Sequence, residues 1–291
     1  MSPPSRVSSF RHNHPALGRN LFLCVLILLG LGLPSGTILA SDPIPGAGIH
    51  SWAGWKPGQI SVADCPELRG VPLILKWDEL EPEAGEYQFP RYLGDPLRVA
   101  QDDGLHVTVM VWVGPAAPEW IYAAGVPEVR TDRTVNALGE PTKHNRFPYY
   151  FSPVYQDRFF RLIDALAAYV NQLPVELQRQ IVFIQSAEGS TGDGQPYKGT
   201  PLEEQYVISP EDWNDFRQAT WMRFREGFPD IPILVNTDAN KEVQTTWLLE
   251  NMDVIALKHG MFSHGFHVSD NRERLDLFHA TAERAQARNK S

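Results

Sequence analysis

Ile181, Val182, Phe183 and Ile184 are four consecutive apolar residues, three of them β-branched, and they run through Gln185-Ser-Ala-Glu188 into the glycine-rich Gly189-Ser-Thr-Gly-Asp-Gly194. A run this short, apolar at every position and stopped by glycines, suits a strand buried on both faces, as in a parallel sheet. Glu188 falls at the C-terminal end of that strand. In a (β/α)₈ barrel this is the end whose loops supply the chemistry. The plainer reading of Glu188 is a solvated loop glutamate, and the rest of the chain bears on the choice.

The same strand character recurs. Gly48–Trp52 reads as a short first strand ending in His50 and Trp52, Val71–Trp77 as the second and Leu105–Val113 as the third. Ile181 opens the fourth, and Pro232–Asn236 and Val254–Lys258 are the fifth and sixth, the last running into His259. Helical patterns lie between them. They are a weak one at Ser61–Leu68, Leu93–Asp103 closed by Gly104, an amphipathic one through Phe159, Leu162, Ile163, Leu166 and Val170, Pro210–Phe228 with Ser209 as N-cap, Val243–Asn251 and Arg272–Arg288. Residues 114–153 form a long excursion whose aromatic content favours an ordered loop. Alternation of strand and helix predicts an α/β fold, a TIM-type (β/α) barrel, but with six strands where a closed barrel has eight. Residues 41–291 are therefore read as one barrel domain, C-terminally short and open between its first and sixth strands.

The first forty residues differ from the rest. Arg6, Arg11 and Arg19 precede the almost wholly apolar Leu21–Leu33, too short to span a bilayer comfortably, and Ile38-Leu39-Ala40 offers a small residue before Ser41. The pattern predicts a signal peptide over residues 1–40 and a secreted or periplasmic protein with no stable membrane anchor. Its removal takes away three arginines and no acids, moving the formal charge from −9 to −12, which argues against a nucleic-acid partner. Cys65 is then the one cysteine left, so neither a disulfide framework nor a cysteine metal cluster is expected. His259, His264 and His267, spaced by five and three on a glycine-containing stretch, do not share a face, and no metal is expected from them. The glycine-rich Gly189–Gly194 lacks a following lysine and the chain has no dinucleotide fingerprint, so no cofactor is expected.

Trp77-Asp-Glu-Leu-Glu-Pro-Glu-Ala-Gly-Glu-Tyr-Gln-Phe89 carries the pattern Trp-x-x-Leu-Glu-Pro-x-x-Gly-x-Tyr-x-Phe. Together with Gly114-Pro-Ala-Ala-Pro-Glu-Trp120 and Gln185-Ser-Ala-Glu-Gly189, it resembles the N-terminal barrel of the family 42 β-galactosidases, which are retaining glycoside hydrolases. The resemblance covers residues 48–195 and is looser to residue 270. It implies a carbohydrate substrate of β-galactoside or other polysaccharide-derived type, with Glu188 as general acid/base, Gln185 on the same strand and Trp77 as the aromatic after strand two. A glycosidic oxygen leaves poorly unless protonated, which is what a carboxyl held beside it supplies. His50, Trp52, Trp112, Trp120, Asp193, Asn236, Lys258 and His259 complete the expected substrate-binding face. Trp112 reads equally well as core, and Trp120 as a pin for its proline-rich loop.

Two positions depart from the pattern. Ala187 stands where the clan has an asparagine for the sugar 2-hydroxyl, and no strand-seven glutamate is found, since Glu250, Glu273 and Glu283 lie in helical segments. Retaining hydrolysis needs two carboxyl groups about 5–5.5 Å apart. Three expectations follow: an exported glycoside hydrolase-like protein, a carbohydrate-binding barrel without catalysis, or a chain shortened relative to a complete barrel.

Overall fold

The computed structural model describes residues 46–51, 55–135, 145–190, 192, 194–237, 241–259 and 268–288, with side chains for all of these except 255, 257–259 and 268–275. The chain divides into two units, Met1–Asp42 and Pro43–Ser291, and the described residues all belong to the second. The signal-peptide expectation and the anchor it would exclude therefore fall outside them. No helix among the described residues is long and apolar enough to cross a membrane.

In chain order the elements are β1 (Ile49–His50), β2 (Leu68–Lys76), α1 (Trp77–Leu80), a π-helical turn (Pro90–Gly94), α2 (Asp95–Asp102), β3 (His106–Trp112), α3 (Glu119–Ala123), β4 (Glu128–Arg130) and β5 (Arg146–Pro148). They continue with α4 (Pro153–Asn171), α5 (Val175–Gln178), β6 (Ile181–Ser186), a 3₁₀ turn (Glu204–Tyr206), α6 (Pro210–Gly227), β7 (Ile233–Thr237), α7 (Lys241–Asn251), β8 (Ile255–His259) and α8 (Val268–Gln286). Six strands form one sheet in the order β1-β2-β3-β6-β7-β8, every neighbouring pair parallel. Each new strand joins at the same edge and the order never reverses. A doubly wound sheet reverses its order and carries helices on both faces, whereas this winding keeps them on one, as in a (β/α) barrel. Among the described residues β1 and β8 are the ends of that sheet, so the barrel is incomplete.

Strand alternation sorts the side chains. Val71, Leu73 and Leu75 of β2, Val107, Val109 and Val111 of β3, Ile184 of β6, and Ile233 and Val235 of β7 belong to the core shared with the helices. There they meet Leu97 of α2, Phe159, Leu162, Ile163 and Leu166 of α4, and Trp213, Phe216, Trp221 and Phe224 of α6. Each such side chain contributes about 1.5–3 kcal/mol through the apolar area it removes from water. The opposite, concave face carries Ile74, Thr108, Phe183 and Leu234, all only half-buried.

Ser209 caps α6 as its position suggested, its Oγ accepting the Asp212 amide at 3.0 Å. Gly104 ends the turn after α2 at φ +72°, a left-handed conformation that glycine adopts without penalty. The expected helix at Ser61–Leu68 does not form. Ser61 and Asp64 instead close a turn on themselves, with the Ser61 amide donating to Asp64 Oδ2 at 3.0 Å and the Ser61 hydroxyl at 2.6 Å. Local side-chain bonds of this kind compete with a helix. Among its described residues the excursion after β3 holds α3 and the antiparallel β4–β5 ribbon.

Candidate functional site

Glu188 is two residues beyond β6, at the end of the sheet where catalysis was expected, and is wholly enclosed. One carboxylate oxygen accepts from the Ser186 hydroxyl and the Trp221 indole N–H. The other accepts from Arg217 Nε at 3.3 Å, and both members of that ion pair are 0% exposed. Arg217 also donates from Nη2 to the Asn236 carbonyl at 2.6 Å and lies 4.8 Å over the Trp221 ring. The reason is the two-residue period of the strand: Ile184, Ser186 and Glu188 share the helix side, so the side chain runs into the layer between sheet and α6. The backbone of Glu188 is at the strand end; its carboxylate meets protein on every side.

Trp77, at the end of β2, is likewise 0% exposed. Its indole N–H donates to Glu81 Oε2 at 2.7 Å, while Glu81 Oε1 accepts the Gly85 amide at 2.7 Å. Gly85 has φ +86°. Tyr87 stacks on Phe89 with centroids 5.0 Å apart, and Trp120 donates to the Glu81 carbonyl at 2.8 Å while meeting Trp77 edge-on. The Trp77–Phe89 pattern therefore closes a loop around a buried carboxylate. Trp77 packs on Tyr155 and Phe159, where no ring face is left for a sugar. Trp120 is half-buried and pins its proline-rich loop.

On the concave face Gln185 and Asn236 converge. Both donate their side-chain amides to the Gly192 carbonyl, at 2.9 and 3.0 Å, and Asn236 Oδ1 is buried without a partner. Gly192, at φ +77°, sits against Met110: a Cβ there would be 2.4 Å from the Met110 sulfur.

The open chemistry lies one strand over. Lys76 pairs in register with Trp112 across β2 and β3, Trp112 is half-buried, and Lys76 Nζ is 2.7 Å from Glu79 with its side chain 48% exposed. Asp78 follows, exposed, its amide held by the Ala116 carbonyl at 2.9 Å. Partial burial, and then the neighbouring Glu79, push its carboxyl above the usual aspartate range. A half-open indole flanked by an ammonium and a carboxylate can stack on a sugar ring and bind its hydroxyls.

His50 lies level with Gly70, six positions before Lys76 along the paired strand, and hydrogen-bonds the Gly46 carbonyl at 2.6 Å, so the fold does not bring it to the strand-end face. Trp52 and Asp193 are outside the described residues. Lys258 and His259 pair in register with Asn236 and Thr237, their side chains outside the described set. His264 and His267 are also outside it, and among the described residues no group of three histidine, cysteine or acidic side chains is positioned to hold a metal. Sequence reasoning missed Lys76, Asp78, Arg217 and Trp221. Arg217 had left a signal, since it interrupts the apolar stripe Trp213, Phe216, Thr220, Trp221 and Phe224 of α6 and stands one turn before Trp221.

The winding and the strand-end site define an α/β protein of the incomplete (β/α)-barrel type. Solved structures similar to this chain at low identity include glycoside hydrolases. Two are β-galactosidases, one from Bacillus circulans sp. alkalophilus (15% identity, 74% of this chain and 39% of that one, TM-score 0.46) and one from the psychrophilic Marinomonas ef1 (13%, 72% and 40%, TM-score 0.45). A third is a psychrophilic family 10 endo-β-1,4-xylanase (10%, 80% and 68%, TM-score 0.44). The chain thus spans about 40% of the length of either β-galactosidase. No family model and no curated protein matches the sequence.

Proposed function

We propose that this chain is an exported carbohydrate-binding protein built on a part (β/α) barrel, and that it has little glycosidase turnover of its own. The enclosure of Glu188 carries the reading. A general acid has to reach the glycosidic oxygen within hydrogen-bond distance, and the Glu188 carboxylate reaches Ser186, Trp221 and Arg217. Sugar binding falls instead to the half-open Trp112 with Lys76 and Asp78. The ligand class is a neutral β-galactoside or other polysaccharide-derived oligosaccharide, in keeping with the motif resemblance.

The test pairs calorimetry with turnover. Plant, algal and β-galactoside oligosaccharides are titrated into the parent, Trp112→Ala and Asp78→Ala chains, and aryl β-galactosides are assayed with the parent and Glu188→Gln. Binding weakened at least tenfold in Trp112→Ala, with negligible turnover throughout, supports the proposal. A second reading, hydrolysis with Glu188 as acid/base, rests on the motif and on the position of Glu188 at the end of β6. Turnover by the parent that Glu188→Gln abolishes, measured at a temperature where circular dichroism shows the variant still folded, establishes that reading and sinks the first. Export is checked separately, by mass spectrometry of the protein from its native cells, where an N-terminus near Ser41 is expected.

A further inference from the structure

A cavity of about 700 Å³ opens at the end of the sheet away from Glu188 and Trp112, around the starts of β3, β6 and β7. Its lining is mostly apolar, with Val182 and Ile231 buried and Phe183 half-buried. The two charged residues of the lining, Arg179 and Asp230, are opposite in sign and exposed, so water keeps them solvated. Small-molecule sites share these properties: about 300–1,000 Å³ of mainly apolar space, with a few polar groups that fix the orientation of the ligand.

His106, the first residue of β3, supplies the polar group. Gly46 packs on one edge of its ring, where a Cβ would lie 3.2 Å from Cγ and from Cδ2. On the other edge Nδ1 is buried and has no hydrogen-bond partner among the described residues. A buried nitrogen left unpaired costs free energy, which a partner in the cavity recovers. We propose that the cavity is a second ligand site, and that it takes an uncharged aromatic molecule bearing a hydroxyl group, a phenol, with the hydroxyl on His106 Nδ1 and the ring against Val182, Phe183 and Ile231.

Three properties select this class of ligand. A neutral imidazole carries its one proton on either nitrogen, so Nδ1 accepts in one tautomer and donates in the other. A hydroxyl group serves both, since it donates and accepts, whereas a carbonyl oxygen only accepts and an ammonium only donates. The charges at the cavity point to a neutral molecule, because whatever a charged ligand gained from Arg179 or Asp230 it would lose to the other. Phe183 then offers a ring against which an aromatic body packs in offset or edge-on geometry, among aliphatic neighbours that exclude water. The cavity lies at the far end of the sheet from Trp112, so the proposal is independent of whether sugar binds.

Two measurements on the full chain test it, with 2-naphthol as the probe and 2-methylnaphthalene as its counterpart of the same shape without the hydroxyl. In nitrogen NMR of the parent at neutral pH, 2-naphthol is expected to shift the His106 Nδ1 resonance saturably, and 2-methylnaphthalene to move it far less. His106→Phe, which keeps a ring and removes the polar nitrogen, is expected to weaken 2-naphthol binding by about tenfold and to leave 2-methylnaphthalene binding no weaker. The parent titration decides the matter by itself where His106→Phe does not fold. An absence of saturable binding to the parent overturns the proposal, the result expected if a second copy covers the cavity. So does 2-naphthol binding that leaves the Nδ1 resonance unmoved, which would place the probe elsewhere on the protein.

Discussion

Glu188 and Arg217 form an ion pair whose side chains are both 0% exposed, and such a pair is costly to break from one side. Removing one partner of a buried pair costs about 3–5 kcal/mol, because the other charge is left uncompensated, whereas replacing both by apolar groups is often neutral. Glu188→Gln and Arg217→Met are each expected to lower unfolding free energy by that amount, and the double variant by distinctly less than their sum. Urea titrations of the four proteins read this directly; additive losses would show that the pair is not coupled. Lys198 behaves differently. It is 8% exposed, and burial, reinforced by Arg133, pulls its pKa down to about 8. Between pH 8 and the ordinary lysine range the unfolded chain holds a proton that the folded chain has released, so stability rises with pH across that window. Lys198→Met is therefore expected to be more stable than the parent at pH 7, with the gap narrowing towards pH 10. A pH-independent difference in melting temperature would contradict it.

The loop from Trp77 to Phe89 is where an element depends on one residue's backbone. Gly85 has φ +86°, and a Cβ at that position would meet nothing within 4 Å. The expected cost of Gly85→Ala, about 1–2 kcal/mol, is thus a backbone cost alone, and Gly85→Asn should lose less because asparagine tolerates the left-handed region. Thermal unfolding of the two variants separates this from a packing effect, under which the larger asparagine would be the worse. At α6 the Ser209 hydroxyl satisfies the Asp212 amide, so Ser209→Ala should cost about 1 kcal/mol.

At the scale of the whole molecule, the sheet stops at β1 and β8 among the described residues, and an unpaired strand edge invites pairing with another chain. β1 is two residues long, which limits the hazard, but Ile49 on it is 64% exposed. Sedimentation velocity is expected to show concentration-dependent self-association of the parent that Ile49→Lys reduces. Equal behaviour of the two proteins would show that this edge is not the contact. The concave face adds to the same tendency, with Ile74 and Leu234 half-buried.

All six strands of the parallel sheet and the long helices were legible in the sequence, because each carries its own period of apolar residues, whereas the short β4–β5 ribbon was not. The Trp77–Phe89 pattern was legible too, as a pattern. Its work was not: Glu81 gathers Trp77, Gly85 and Trp120 through bonds that span up to 39 residues, and nothing in a linear motif says whether a tryptophan turns its face to ligand or to core. For Glu188 the sequence determined its position at the end of β6. Only the tertiary structure decided which way it faces, because that depends on α6 bringing Arg217 and Trp221, 29 and 33 residues further on, to the helix side of the sheet. A buried charge goes to the partner that can neutralise it, and where that partner stands is settled by packing.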